Sequence, residues 1–156
     1  MRALAWVALL AALGCATPYT YSFHLESPGA RPSLKAGEQA LEDADVRAEI
    51  LVDPTGAQAI LLDLTNKTDL PLQVEWTRIT MTGSDGRATT PRPDVDLGWI
   101  PPGATQSVRL VPFALPASGS QAESYQGQRF ELAVPMIVRR ESKLFRYPFA
   151  VNVRKL

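Results

Sequence analysis

One cysteine and one histidine stand among 156 residues, and that scarcity closes several routes. A single cysteine forms no internal disulfide, so the fold must hold by its core alone. Zinc sites draw on sets of Cys, His and carboxylate ligands, and Cys15 and His24 are too few to make one. His24 also lies ahead of the main domain, on the polar phase of its segment, where nothing brings it to a serine and a carboxylate. Neither sign of charge prevails, with 16 basic and 16 acidic residues. The chain therefore lacks the basic face that nucleic acid requires and the polybasic patch that binds anionic lipid by itself. No apolar run is long enough to span a bilayer: Ala3–Leu13 falls well short of the ~20 residues needed. The Gly-x-Ser-x-Gly elbow and the phosphate-cradling Walker loop are missing. The acidic groups Glu42-Asp43-Asp45 and Asp94-Asp96 lack the ligand count and glycine spacing of a calcium loop, and read as solvated turns. The sequence is thus expected to encode no enzyme and to need no metal or cofactor.

Turn formers are plentiful. Thirteen prolines and ten glycines are spread along the chain, while 46% of residues are hydrophobic. That mixture suits short strands around a packed core. Period-2 alternation is clearest at the end, in Phe130, Leu132, Val134, Met136 and Val138, and again in Phe145, Tyr147, Phe149, Val151 and Val153. The two runs predict a hairpin. A four-residue loop, Arg140–Lys143, sets Met136 opposite Tyr147 and Pro135 opposite Pro148. Neither proline can donate to a ladder, which predicts a sheet edge or an interrupted ladder beside at least one of these strands.

Earlier, Tyr19, Tyr21, Phe23 and Leu25 read as a first strand, and residues 26–37 as linker. Val46, Ala48, Ile50 and Val52 alternate, and Asp53-Pro54-Thr55-Gly56 reads as a turn. Residues 59–64 are nearly all apolar, as in a strand covered on both faces. Leu72, Val74 and Trp76 have one parity and Ile79 and Met81 the other, which predicts a β-bulge near Thr77-Arg78. Ser84-Asp85-Gly86 suits a hairpin turn. Residues 88–104 are turn-rich, Val108 and Leu110 mark another strand, and 114–128 read as a loop with room for a helical turn. The expected fold is all-β: one antiparallel β-sandwich of about seven to eight strands. Its core is expected around Trp76, Phe130, Phe145, Tyr147 and Phe149.

The N-terminus carries a resemblance. Met1-Arg2, an apolar stretch and then small residues follow the pattern of an export signal. Ala12-Leu13-Gly14-Cys15 resembles the bacterial lipobox, although its leucine sits two residues before the cysteine rather than three. The resemblance implies cleavage ahead of Cys15, lipidation of that residue and a membrane anchor. Ala16, rather than Asp, at the next position implies the outer membrane, with the domain facing the periplasm. Cleavage after Ala16 is the alternative, and leaves a soluble secreted chain. The organisation expected is a signal peptide over 1–14, a lipidated tether over 15–43 and a sandwich over 44–156.

Leu62-x-Leu64-x-Asn66-x-Thr68, Pro71-Leu72-x-Val74 and Ile100-Pro101-Pro102-Gly103 resemble phrases of exported β-sandwiches. The chain looks like small bacterial outer-membrane lipoproteins built on one immunoglobulin-like or transthyretin-like sandwich. That resemblance implies an interaction or assembly module meeting another envelope protein. A lipoprotein that binds a small molecule or glycan is the alternative. Trp99 and Ile100 form an apolar pair in a loop-rich stretch, a contact site if exposed and a core plug if buried. Arg139, Arg140, Lys143 and Arg146 gather at the last hairpin tip, as a patch for an acidic partner or as a solvated end. Asn66-Lys67-Thr68 fits a glycosylation acceptor and also a simple turn.

Overall fold

Alternation in the sequence becomes strands over most of the described residues, all paired antiparallel. The computed structural model describes residues 19–32, 39–52, 60–94, 98–111 and 120–155. Within these, the strands are β1 (Tyr19–Leu25), β2 (Arg31–Pro32), β3 (Gln39–Glu42), β4 (Val46–Val52), β5 (Ile60–Asn66), β6 (Leu72–Val74), β7 (Thr80–Thr82), β8 (Ala88–Thr89), β9 (Arg92–Pro93), β10 (Trp99–Ile100), β11 (Thr105–Val111), β12 (Arg129–Val138) and β13 (Glu141–Lys155). A one-turn helix, α1 (Ser120–Glu123), precedes β12.

Two sheets form. The first runs β1-β13-β12-β6-β10, with β7 also on β12 and β8 outside β7; the second runs β2-β3-β4-β5-β11-β9. Their inner faces share one buried cluster. It takes Tyr21, Leu72, Met81, Leu132, Val134, Met136, Tyr147, Phe149 and Val151 from the first sheet. Val46, Ala48, Ile50, Ile60, Leu62, Leu64, Val108 and Leu110 come from the second. Of the expected core aromatics, Trp76, Tyr147 and Phe149 are buried, while Phe130 and Phe145 pack against the cluster half-buried. The sheets take in β1, where a first strand is expected, and also β2 and β3, from residues 26–43 expected as linker and tether.

Three readings need correction. The β12–β13 loop has two residues, not four: Arg139 and Arg140 adopt φ of 51° and 70°, and Val138 pairs with Glu141. Met136 therefore lies opposite Lys143 and Pro135 opposite Leu144, while Leu132 meets Tyr147. Such a turn usually calls for Asn or Gly, and two arginines in it cost about 1–2 kcal/mol each. Second, β5 alternates between buried and exposed positions; Leu61 faces solvent, so the strand is covered on one face only. Third, the phase change between β6 and β7 is a 3₁₀ turn over Trp76–Arg78 rather than a bulge. It lets Leu72, Val74 and Trp76, then Ile79 and Met81, all face the core.

That 3₁₀ turn also accounts for Pro135. The β12 ladder runs to β7 through 131–133 and to β6 through 136–137, and lapses between them. Pro135 sits in the lapse, where its carbonyl accepts from the Glu75 N–H at 3.0 Å. N and O of one strand residue point to the same side, so the missing N–H of Pro135 faces the gap. Pro148 likewise lies one step beyond the last β1–β13 pair, Leu25–Phe149, and accepts from the Glu26 N–H at 2.8 Å.

Candidate functional site

The residues singled out in the sequence part company in the fold. Cys15 lies outside the described residues, as does the turn at Asp53–Gly56. Trp99 and Ile100, adjacent in sequence, point to opposite faces of β10. Ile100 is 1% exposed and belongs to the core, whereas Trp99 is 59% exposed. Trp99 pairs with Gln73 of β6, which pairs with Ile137 of β12, which pairs with Ser142 of β13. Trp99 and Ile137 thus share one cross-strand row on the outer face of the first sheet. One row along lie Pro135 and its partner Leu144, the latter 51% exposed. Trp99 and Leu144 are exposed and Ile137 is half-buried at the end of the sheet nearest the β12–β13 turn, with Gln73 between Trp99 and Ile137 and with Pro135 buried; they form a broken apolar band. Single exposed apolar residues are ordinary on a protein surface; Trp99 stands out among the described ones by its size and its exposure.

Asn66, at the end of β5, holds that band in place. Its side chain is fully buried. Its Nδ2 donates to the carbonyls of Leu70 (2.8 Å) and Ile100 (2.9 Å). Its Oδ1 accepts from the Thr68 N–H (2.9 Å) and hydroxyl (2.8 Å). The Asn66 backbone adds bonds to Ala104 and Gly103, whose φ of 72° requires glycine in the turn. The two phrases Asn66-x-Thr68 and Ile100-Pro101-Pro102-Gly103 are therefore one hydrogen-bonded unit, and it fixes the strand that carries Trp99. Both donors of the amide are engaged and buried, so Asn66 is no glycan acceptor in the folded chain.

Three of the four basic residues at the hairpin tip are paired with carboxylates. Asp45, 9% exposed in the turn between β3 and β4, accepts from Arg139 Nε at 3.1 Å and Lys143 Nζ at 2.6 Å. Arg146 pairs with Glu131 across the β12–β13 ladder, and Arg140 is exposed. Asp43 shapes the turn, since its Oδ1 accepts the N–H groups of Asp45 and Val46, each at 2.7 Å. Lys67 ties in by donating to the Asp43 carbonyl and Glu42 Oε1, each at 2.6 Å. The cluster is a clamp between the sheets, with three of the four expected contact residues committed to carboxylates.

The clamp makes stability depend on acid. The hydrogen bond from Lys143 holds the Asp45 carboxyl below the ordinary aspartate value of 3.8. A depressed carboxyl contributes stability above its unfolded value and loses it as pH falls through the folded one. Asp45→Asn is accordingly expected to lower the denaturation midpoint at neutral pH, with variant and parent converging at acid pH below the carboxylate range. Urea titrations across pH test this; a pH-independent gap would assign the effect to something other than the ion pairs.

A separate cleft of about 490 Å³ opens where the chain crosses between sheets, lined by Trp76, Thr77, Thr90, Pro91, Arg92, Pro93 and Asp94. Trp76 is almost wholly buried and offers it little aromatic surface. Asp94 is engaged too, its Oδ1 accepting from the Arg109 N–H at 2.8 Å. Among the described residues, no three His, Cys, Asp or Glu side chains are grouped to hold a metal ion. No described helix is long and apolar enough to cross a membrane.

Neither known protein-family profiles nor curated protein sequences match this chain. The functional reading therefore rests on the outer-face band and on the geometry around it.

Proposed function

We propose that the chain is a lipid-anchored interaction module of the bacterial envelope: exported by residues 1–14, tethered through Cys15, and engaging another envelope protein through the band around Trp99. The observation that carries this reading is Trp99 itself, more than half exposed on an edge strand that Asn66 holds rigidly. Tryptophan is enriched among the residues that dominate binding energy, and a fixed aromatic loses little entropy on contact.

The finer fold reading is an immunoglobulin-like sandwich. Its support is the order of crossings. β4-β5-β11-β9 in one sheet and the β6/β7 strand, β12 and β13 in the other follow the A-B-E-D and C-F-G arrangement. β1 is added beside the last strand, and β2 and β3 beside the first. This order favours the immunoglobulin-like over the transthyretin-like alternative. The cleft at Trp76–Asp94 is what favours the second reading, binding of a small molecule or glycan.

A photocrosslinking residue placed at 99 or at 144 in living cells is expected to give one discrete protein adduct. The same residue at 61, on the outer face of the other sheet, is expected to give none. Trp99→Ala is expected to weaken binding of the captured protein about 30-fold, while changing stability by no more than about 1 kcal/mol. Equal adducts at 61 and 99, or full affinity after Trp99→Ala, would sink the reading.

A further inference from the structure

Four Cα-to-Cα steps, through Ala16, Thr17 and Pro18, separate Cys15 from Tyr19, where β1 begins. Fully extended, they reach at most ~14 Å. Tyr19 pairs with Lys155 at the far end of β13, so the anchoring residue is leashed to the pole where β13 ends. Two other segments meet at that pole. The Tyr19 hydroxyl donates to Glu123 Oε1 of α1 at 2.7 Å. The loop after α1 closes on β13, with Gln126 Oε1 accepting from the Val153 N–H at 2.6 Å and the Gly127 N–H donating to the Val151 carbonyl at 2.8 Å.

The composition of the pole suits a bilayer surface. Tyr19 and Tyr125 are half-buried against the core there, and tyrosine favours the headgroup level, where its ring and hydroxyl meet different media. Arg154 and Lys155 are exposed beside Tyr19. Two cations are too few to bind a membrane unaided, yet they bias the orientation of a domain already anchored beside them. On the outer face of the first sheet, Arg129 and Arg146 pair with Glu26 and Glu131.

β13 is a single strand of 15 residues. At about 3.4 Å per residue, Ser142, in the Trp99 row, lies about 40 Å from Lys155. We infer that the domain stands on anionic headgroups by the Tyr19–Lys155 pole and holds the Trp99 band about 40 Å out from the bilayer surface. This rests on the Cys15 anchor proposed above. The partner it fits is one whose contact surface lies well clear of the membrane rather than a lipid or a protein lying flat on it.

The test uses full-length protein purified from membranes in detergent, with its intact mass read first. It is then reconstituted into vesicles of phosphatidylcholine and phosphatidylglycerol carrying a nitroxide on the lipid headgroup. A fluorescent non-natural residue is placed at Asn152 or at Arg140, near the two ends of β13. Quenching is expected to be several-fold stronger at 152 than at 140, and to weaken at 152 in the variant carrying Arg154→Glu and Lys155→Glu. A lipidated mass with equal quenching at both positions overturns the upright orientation and leaves the anchor standing. Unchanged quenching in the double variant overturns the headgroup contact. A mature chain that begins at Thr17 without lipid removes the anchor, and this inference with it.

Discussion

Asn66→Ala is expected to lower the thermal midpoint by roughly 10 °C. Loss of the amide leaves the Ile100 carbonyl and the Thr68 N–H without the partners that Asn66 gives them. The Leu70 carbonyl keeps a donor, because the Thr68 hydroxyl, 2.7 Å away and released from Asn66, turns to it. Two buried groups left unpaired cost about 1–3 kcal/mol each. Asn66→Asp should be worse, since it keeps the acceptor, loses both donors and buries a carboxylate. Trp99 provides a local readout: with β10 released, its emission should shift toward that of a fully solvated indole in Asn66→Ala. Circular dichroism melts and tryptophan fluorescence check both statements. A midpoint within about 2 °C of the parent would mean that Asn66 does not organise this end of the sandwich.

Phe149→Ala is expected to cost about 3–5 kcal/mol, or roughly 15 °C. Phe149 is buried and stacks on Phe130, with ring centroids 5.8 Å apart. Its backbone pairs with Phe130 on one side and Leu25 on the other, so it joins β12, β13 and β1 at one point. Phe145→Ala, at a half-buried position on the same face of β13, should cost about half as much. Urea unfolding of the two variants measures the difference. Equal losses would show that burial does not rank these positions.

These expectations draw on parts of the fold that the sequence makes legible to different degrees. Tyr19-x-Tyr21 and the long runs of β12 and β13 announce themselves by alternation, because each buries one face. The phase change at Trp76–Ile79 is equally plain. The kind of irregularity is not, since a bulge and a 3₁₀ turn shift parity alike. The β12–β13 register misleads because its turn uses Arg139 and Arg140 at positive φ, without the Asn or Gly that signals such geometry. β3 is hidden for a different reason: Gln39-Ala40-Leu41-Glu42 is too short and mixed to show a period. The site follows the same rule. That Trp99 and Ile100 are apolar is visible, but which of them faces outward is set by pairing with β6. The charge of the basic tip is legible in the sequence; its pairing with Asp45, remote in sequence and brought to it by the β3–β4 turn, is not.

The placement of β1 bears on how the domain carries load. β1 lies along β13 through seven register pairs, with its N-terminal end at the pole. Tension entering at Tyr19 while the Trp99 end is held acts along the strand axis. The ladder bonds of an antiparallel pair run across that axis. They are loaded side by side in shear and resist together, instead of opening one after another like a zipper. If the chain is anchored as proposed above, the strand that leads to the membrane is thereby coupled to the domain along its whole length.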